Sequence, residues 1–300
     1  MKHMSSPSPT AWLRRLRTAF AASAQLLAPR AEACLICGKP QAGPRSAASP
    51  NDPKLPAGLR DQACGACLSA IPWISRIQCP KCGRAVRCED CARSPHRAFV
   101  CNRSAVRYDP TMRALLAQYK YRGNEQLAPL LGDMLLPPFE ALTASLHESA
   151  PAARRGKRQK LRIADRWDAV TYVPVSRERA LDRGFNQAEQ LAAHLARRYG
   201  IPLMHLLVRA RHTEKQSFKT RAERIKDTRQ LFAVDRAEVA RLHSLRQDAS
   251  KTSDLSREAC RILLVDDIYT TGSTAEACSL TLGRHIDFSH EIYVLTWARS

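Results

Sequence analysis

The sequence predicts an α/β protein built on a doubly wound parallel sheet, with a small cysteine-rich module ahead of it. Three observations lead there. Ile262 to Val265 is apolar on successive residues, the mark of a central strand buried on both faces, and Asp168 to Val175 reads as another buried strand. Helical stretches alternate with such strands, which implies crossover connections and a parallel sheet whose ligands bind at the carboxyl ends of strands. Eight of the 11 cysteines fall in four CxxC pairs near the N-terminus.

Trp12, Leu13, Leu16, Phe20, Leu26 and Leu27 suggest an amphipathic helix with Arg14, Arg15 and Arg17 exposed, in an N-terminal extension over 1–32. The apolar run after these arginines resembles a short signal peptide. Glu32 is misplaced for a cleavage site and Cys34 is needed downstream, so a signal peptide is not expected. No stretch approaches the ~20 apolar residues of a transmembrane segment.

The pairs Cys34/Cys37, Cys64/Cys67, Cys79/Cys82 and Cys88/Cys91 lie in a module over 33–95. A CxxC turn presents two thiolates to one metal, and two such turns complete a tetrahedral Zn²⁺ site. Disulfides are the competing reading and need an oxidising compartment. Neighbouring pairs would give two zinc ribbons, while interleaved pairing is the alternative. Five prolines between 38 and 63 mark a polar loop inside the first ribbon, and Gly83 after Cys82 suits a zinc-knuckle turn.

The larger domain, over 96–300, begins with a strand from Phe99 to Tyr108 and a helix from Thr111 to Tyr121, with Gly123 as its cap. Leu127 to Leu146 reads as helical with a break at Pro137-Pro138. A basic insertion near 143–166 follows, with Arg154, Arg155, Lys157, Arg158, Lys160 and Arg162. After the strand ending at Val175, the segment Ser176 to Gln187 carries Arg179, Arg183 and Gly184 ahead of a helix from Asn186 to Tyr199. Arg179 and Arg183 can grip a pyrophosphate, or pair with Glu178 and Asp182. Leu203 to Val208 reads as a strand. Arg209 to Arg224, including Gln216, reads as a lid or a solvated basic helix. Residues 236–259 lack periodicity and read as a surface insertion. Ile292 to Leu295 supplies a last strand, and Cys101, Cys260 and Cys278 read as small core residues.

The run from Ile262 to Thr274 is the most informative. Asp266 and Asp267 sit where the strand stops, and Thr270, Thr271, Gly272, Ser273 and Thr274 form a phosphate-sized loop before a helix. Hydroxyls and helix N–H groups converge on an anion there, and Gly272 can take positive φ. The carboxylates must meet something hydrogen-donating or cationic on the same ligand, such as sugar hydroxyls or a divalent metal. A sugar phosphate satisfies both demands.

That stretch resembles the signature of type I phosphoribosyltransferases, in which an acidic pair holds the ribose of phosphoribosyl pyrophosphate (PRPP) and the loop holds its 5′-phosphate. Four CxxC pairs ahead of it, with Lys120-Tyr121-Arg122-Gly123, Arg183-Gly184-Phe185-Asn186-Gln187, and Thr213 and Gln216 before Arg224, closely resemble the ComF family over 34–300. Asp227 departs from the Asn usual in relatives. The resemblance implies a cytoplasmic bacterial protein with two structural Zn²⁺, Mg²⁺ accompanying PRPP, and a part in handling single-stranded DNA during natural transformation, beside other competence proteins. It makes Asp266 and Asp267 catalytic, with Arg179, Arg183, Gly184, Gln216 and Arg224 on the pyrophosphate. A phosphoribosyltransferase with an unidentified acceptor is the first reading, and a PRPP-binding adaptor or DNA-binding zinc protein the alternative. The net charge of +20 favours polyanionic partners, although a generally arginine-rich proteome gives the same excess.

Overall fold

The computed structural model describes residues 33–40, 55–93, 95–121, 124–148, 162–210, 231–252 and 259–300. The strands are β1 (Asn102–Arg107), β2 (Ala169–Tyr172), β3 (Leu207–Arg209), β4 (Phe232–Val234), β5 (Cys260–Tyr269) and β6 (His290–Arg299). Four of them form one sheet in the order β1-β6-β5-β2, and every neighbouring pair is parallel. The described helices are α1 (Ala57–Gln62), α2 (Gly65–Ala70), α3 (Glu89–Arg93), α4 (Pro110–Tyr121), α5 (Leu127–Met134), α6 (Leu136–Glu148), α7 (Arg177–Arg183), α8 (Gln187–Tyr199), α9 (Arg236–Thr252) and α10 (Ser273–Gly283).

Alternation along the strands sorts side chains into two cores. Val170, Tyr172, Leu263, Val265, Leu295 and Trp297 face one side, where Leu115, Leu131, Phe139 and Leu191 of α4, α5, α6 and α8 cover them. Ala169, Ile262, Leu264, Ile292 and Val294 face the other, against Leu242 of α9 and Ala277, Cys278 and Leu282 of α10. The sheet is thus covered on both faces, as the unbroken apolar runs require. Cys101, Cys260 and Cys278 are buried, as small core residues should be.

The cysteine module is packed into these same cores. Leu59, Leu68 and Ile71 join the first, while Cys79, Cys82, Cys88 and Cys91 join the second. Between the two, Pro72 to Ile74 lies along the outer edge of β1. Ile74 N donates to Ala105 O at 2.9 Å and Arg107 N to Pro72 O at 3.0 Å, so this edge is not left open for another chain.

The structure departs from the sequence reading in several places. Pro137 and Pro138 lie in the first turn of α6, where a missing N–H costs nothing, so they start a helix. Thr143 and Leu146 of the expected 143–166 insertion belong to that helix and are buried, and Thr143 accepts from Trp167 Nε1 at 3.0 Å. Leu203 makes only a single bridge to Val170, and the strand beyond it, β3, pairs antiparallel with β4 in a separate ribbon. Residues 236–252 are the helix α9, capped by Asp235, whose carboxylate accepts from Ala237 N and Glu238 N. Its buried stripe starts with Val239 and Leu242 and continues as Arg246, which pairs with Asp168 at 3.2 Å. An ion pair in the third position hides the helical period from a hydrophobic count. The expected helix at 1–32, Arg154 to Lys160, Arg122 and Gly123, and the lid residues Thr213, Gln216, Arg224 and Asp227 lie outside the described residues.

Candidate functional site

β5 does not stop at the acidic pair. It runs four residues beyond its last partner on β2, the Tyr172–Val265 pair, while staying in register with β6 through Tyr269 and Arg299. Asp266 to Tyr269 therefore extend the sheet with one edge uncovered on the β2 side. Into that opening the chain leaving β2 turns through Val173, Pro174 and Val175 to α7. A cleft of about 700 Å³ results, lined among others by Lys120, Arg179, Arg183, Arg209, Asp266, Asp267 and Thr274. Carboxylates from one strand end thus face guanidinium groups from the next, as expected at the carboxyl ends of parallel strands.

Local structure fixes each wall. Ser176 caps α7 by accepting from Arg179 N at 3.4 Å. Gly184 ends α7 at φ +79°, with open space where a Cβ would lie, so its role is the left-handed cap rather than close approach to a ligand. It borders a neighbouring groove instead of the cleft. Asn186 caps α8 through Ala188 N and Glu189 N and donates to Val173 O at 3.2 Å, tying the helix start to the strand end. The Tyr119 ring packs on Phe185, with centroids 5.2 Å apart, which brings α4 and its Lys120 over the cleft.

Lys120 is the residue that sequence reasoning left without a role. Its Nζ pairs with Asp267 Oδ2 at 2.6 Å, and both side chains are less than one-fifth exposed. Burial pushes the Asp266 carboxyl up to about 8, and the Asp267 charge adds to it, against a hydrogen bond from Asp267 N and the Lys120 charge. Arg209 also faces the cleft. Burial lowers its pKa and the nearby Arg179 charge lowers it further, the sign of cations gathered on one site. Nothing in the sequence links Lys120 to Asp267, because the contact depends on how α4 crosses the sheet.

The loop after β5 enters α10 through Gly272 at φ +81°. A Cβ there would collide with the Tyr269 hydroxyl, so this turn needs glycine for space as well as for angle. Thr271 donates to Ser273 Oγ at 3.2 Å, and Thr270, Thr271 and Ser273 are exposed. Thr274 alone of this loop also lines the cleft among the described residues. Gly272 offers no side chain to cap α10; Ser273 N donates to Thr271 Oγ1 at 3.4 Å, and the N–H groups of Thr274 and Ala275 are the ones left for solvent or an anion.

Two further clusters are formed by the cysteines. Cys34, Cys37, Cys64 and Cys67 converge, as do Cys79, Cys82, Cys88 and Cys91, with all sulfurs of each set within 4.8 Å of one another. Neighbouring pairs share a site, so the interleaved alternative is discarded. All eleven cysteines are free thiols. Each donor set suits a tetrahedral Zn²⁺. Burial opposes ionisation of Cys34, but hydrogen bonds from Cys64, Cys37 and Ile36 outweigh it and bring the thiol down to about 7. Gly83, at φ +73°, closes the second knuckle with its N–H on Cys79 O, and a Cβ there would strike Asn102 O at 2.6 Å.

Fold and site together define a mixed α/β protein with an acidic–basic cleft at the end of a parallel sheet and two four-cysteine clusters that could each hold a metal ion. No protein-family model matches the chain. Among known proteins it is 29% identical over 236 residues to competence protein ComFC of Bacillus subtilis strain 168, covering 75% of this chain and 80% of that protein. It is 24% identical over 215 residues to competence protein ComFC of Streptococcus pneumoniae strain R6, covering 70% and 76%. Both matches agree with the ComF resemblance carried by the sequence motifs. No described helix is long and apolar enough to cross a membrane.

Proposed function

We propose that this chain binds PRPP in the cleft above β5 and serves a competence-related role, as a phosphoribosyltransferase acting on an acceptor yet to be identified. The observation that carries the reading is the meeting of Asp266, Asp267 and Thr274 with Arg179 and Arg183 around one cleft. In this reading Asp266 and Asp267 hold the ribose hydroxyls, and the turn from Thr270 to Thr274 takes the 5′-phosphate on hydroxyls and helix N–H groups. Arg179 and Arg183 meet the pyrophosphate, and the ComF resemblance assigns Gln216 and Arg224, outside the described residues, to the same group.

Displacement at ribose C1 breaks the bond to pyrophosphate and leaves oxocarbenium-like charge on the sugar. The Asp267 carboxylate opposes that charge, Asp266 joins it once its proton has left, and the arginines stabilise the departing oxygens. These carboxylates are hard oxygen donors that fit Mg²⁺ accompanying PRPP, which when bound supplies further charge neutralisation. The Lys120 ammonium neutralises Asp267 in the free protein and must yield or share it when a ligand enters.

The test is pyrophosphate release from PRPP, with and without bases or nucleic acid, in wild type and in the Asp266→Asn, Asp267→Asn double variant. Turnover in wild type and its loss in the variant is expected. Tight PRPP binding without pyrophosphate under any condition would leave a non-catalytic adaptor, a second reading favoured by the lack of any acceptor-specific motif. A role with single-stranded DNA is implied by the ComF resemblance, and the +20 charge and the basic run near 154–162 suit a polyanionic partner. Its affinity is expected to fall steeply between low and moderate salt, and a flat response in a filter-binding series would remove nucleic acid from the reading.

A further inference from the structure

The second cysteine cluster and the phosphate turn are joined through one buried cation. Arg299, near the end of β6, is 5% exposed. One arm, Nη2, points at Cys82 Sγ, 3.8 Å away, and the other, Nη1, donates to Tyr269 O at 3.2 Å and to Ser300 O. Its guanidinium lies over the Tyr269 ring, 4.8 Å from the centroid. Tyr269 is itself 3% exposed, and its hydroxyl fills the space that a side chain at residue 272 would need. That hydroxyl has no hydrogen-bond partner among the described residues, so the ring is held under the turn through its faces and edges, Arg299 among its neighbours.

Two more contacts tie the same parts together. Phe99, which follows the second cluster, meets the Tyr269 ring edge-on at 6.3 Å. Ala98 N donates to Glu276 Oε2 in the first turn of α10 at 3.0 Å. The electrostatics give the arrangement a direction. Four thiolates around Zn²⁺ carry two net negative charges, and two guanidinium groups, Arg299 on Cys82 and Arg84 on Cys88 at 3.9 Å, face sulfurs of this cluster. Hydrogen bonds from a cation to a metal-bound thiolate are charge-assisted, whereas those to a neutral thiol are weak. A bound metal fixes where Cys82 Sγ lies, so an empty site releases the sulfur against which Arg299 is held, and with it the clamp on Tyr269.

We infer that Arg299 is a positioning residue through which occupancy of the Cys79/Cys82/Cys88/Cys91 site sets the geometry of the Gly272 turn, so that metal and anion binding are coupled. The inference rests on the reading of 270–274 as the phosphate loop. Coupling of this kind is reciprocal: ligand in the cleft must tighten the metal in the second cluster, and the first cluster, lacking this connection, should not respond.

The test uses the full-length zinc-loaded protein. Calorimetry measures PRPP binding, and a colorimetric chelator follows zinc release with and without saturating PRPP. In wild type, PRPP is expected to slow the release of one of the two zinc ions by about 5-fold or more. Arg299→Met should retain both ions and lose that protection. Arg299→Lys, which keeps the charge but not the fork, should show reduced protection, and it carries the comparison if the methionine variant does not fold. PRPP bound with both ions leaving at unchanged rates overturns the coupling and spares the cleft reading. Protection undiminished in either variant overturns the assignment to Arg299. Absence of PRPP binding in wild type overturns the cleft reading and the inference with it.

Discussion

Asp266 combines a central-strand position with a raised carboxyl pKa, and the two are linked physically. Burial disfavours its charged form, and Asp267 beside it does the same, so the folded protein holds a proton up to about pH 8 that an unfolded chain releases near pH 4. Between those values the folded state binds more protons, and stability from this residue falls as pH rises. Asp266→Asn removes the titration while keeping an oxygen for the Asp267 N–H. The variant is expected to melt with wild type near pH 4 and about 2 °C or more above it at pH 8.5, read by circular dichroism without ligand. At this scale the sequence was informative where the chemistry is contiguous, from Asp266 to Thr274. Lys120 as the partner of Asp267 and Arg209 as part of the cleft wall were not legible, because their place depends on the crossing of α4 and on the β3–β4 ribbon.

Among the elements, the turn into α10 is the least tolerant of change. Gly272→Ala introduces a Cβ against the Tyr269 hydroxyl at a positive φ that side chains resist, a strain of order 1–3 kcal/mol. Relief requires the turn or the ring to move, so PRPP affinity by calorimetry should fall tenfold or more, while zinc content stays at two per chain. The strands were legible because double burial leaves an unbroken apolar run. α9 was not, since Val239 and Leu242 are followed on its buried face by Arg246 paired to Asp168, and charge replaces the expected hydrophobe. The end of β5 was also misread: acidic residues signalled a stop, but main-chain pairing to β6 continues beneath them.

Across the whole molecule, the metal module and the sheet share their interior. Cys34 sits in one core with Leu263 and Leu295, and Cys82 in the other with Leu264 and Val294. Four free thiols drawn together are poorly packed and partly desolvated, so removing zinc should destabilise the α/β body as well as the ribbons. Chelation is expected to lower the melting temperature of the full chain in one cooperative transition. A separate early transition of the N-terminal part, with the later one unmoved, would contradict this. CxxC spacing announced the ribbons, but their docking on the two faces of a sheet depends on long-range contacts that no local pattern carries.

The overrun of β5 past β2 has a last consequence, for how the cleft divides its stiffness. The acidic floor belongs to a strand paired to β6 along nearly its whole length and to β2 from Ile262 to Val265, and Leu263 to Val265 just before it are fully buried. The facing wall, α7, is seven residues long, has no buried residue, and leaves Leu181 three-quarters exposed. In the proposed reading the sugar of PRPP meets a fixed template, whereas the group attached to it meets a compliant jaw. The entropy lost on closing around a ligand falls almost wholly on that jaw. Discrimination among leaving groups is then an adaptive property, and recognition of the sugar a rigid one.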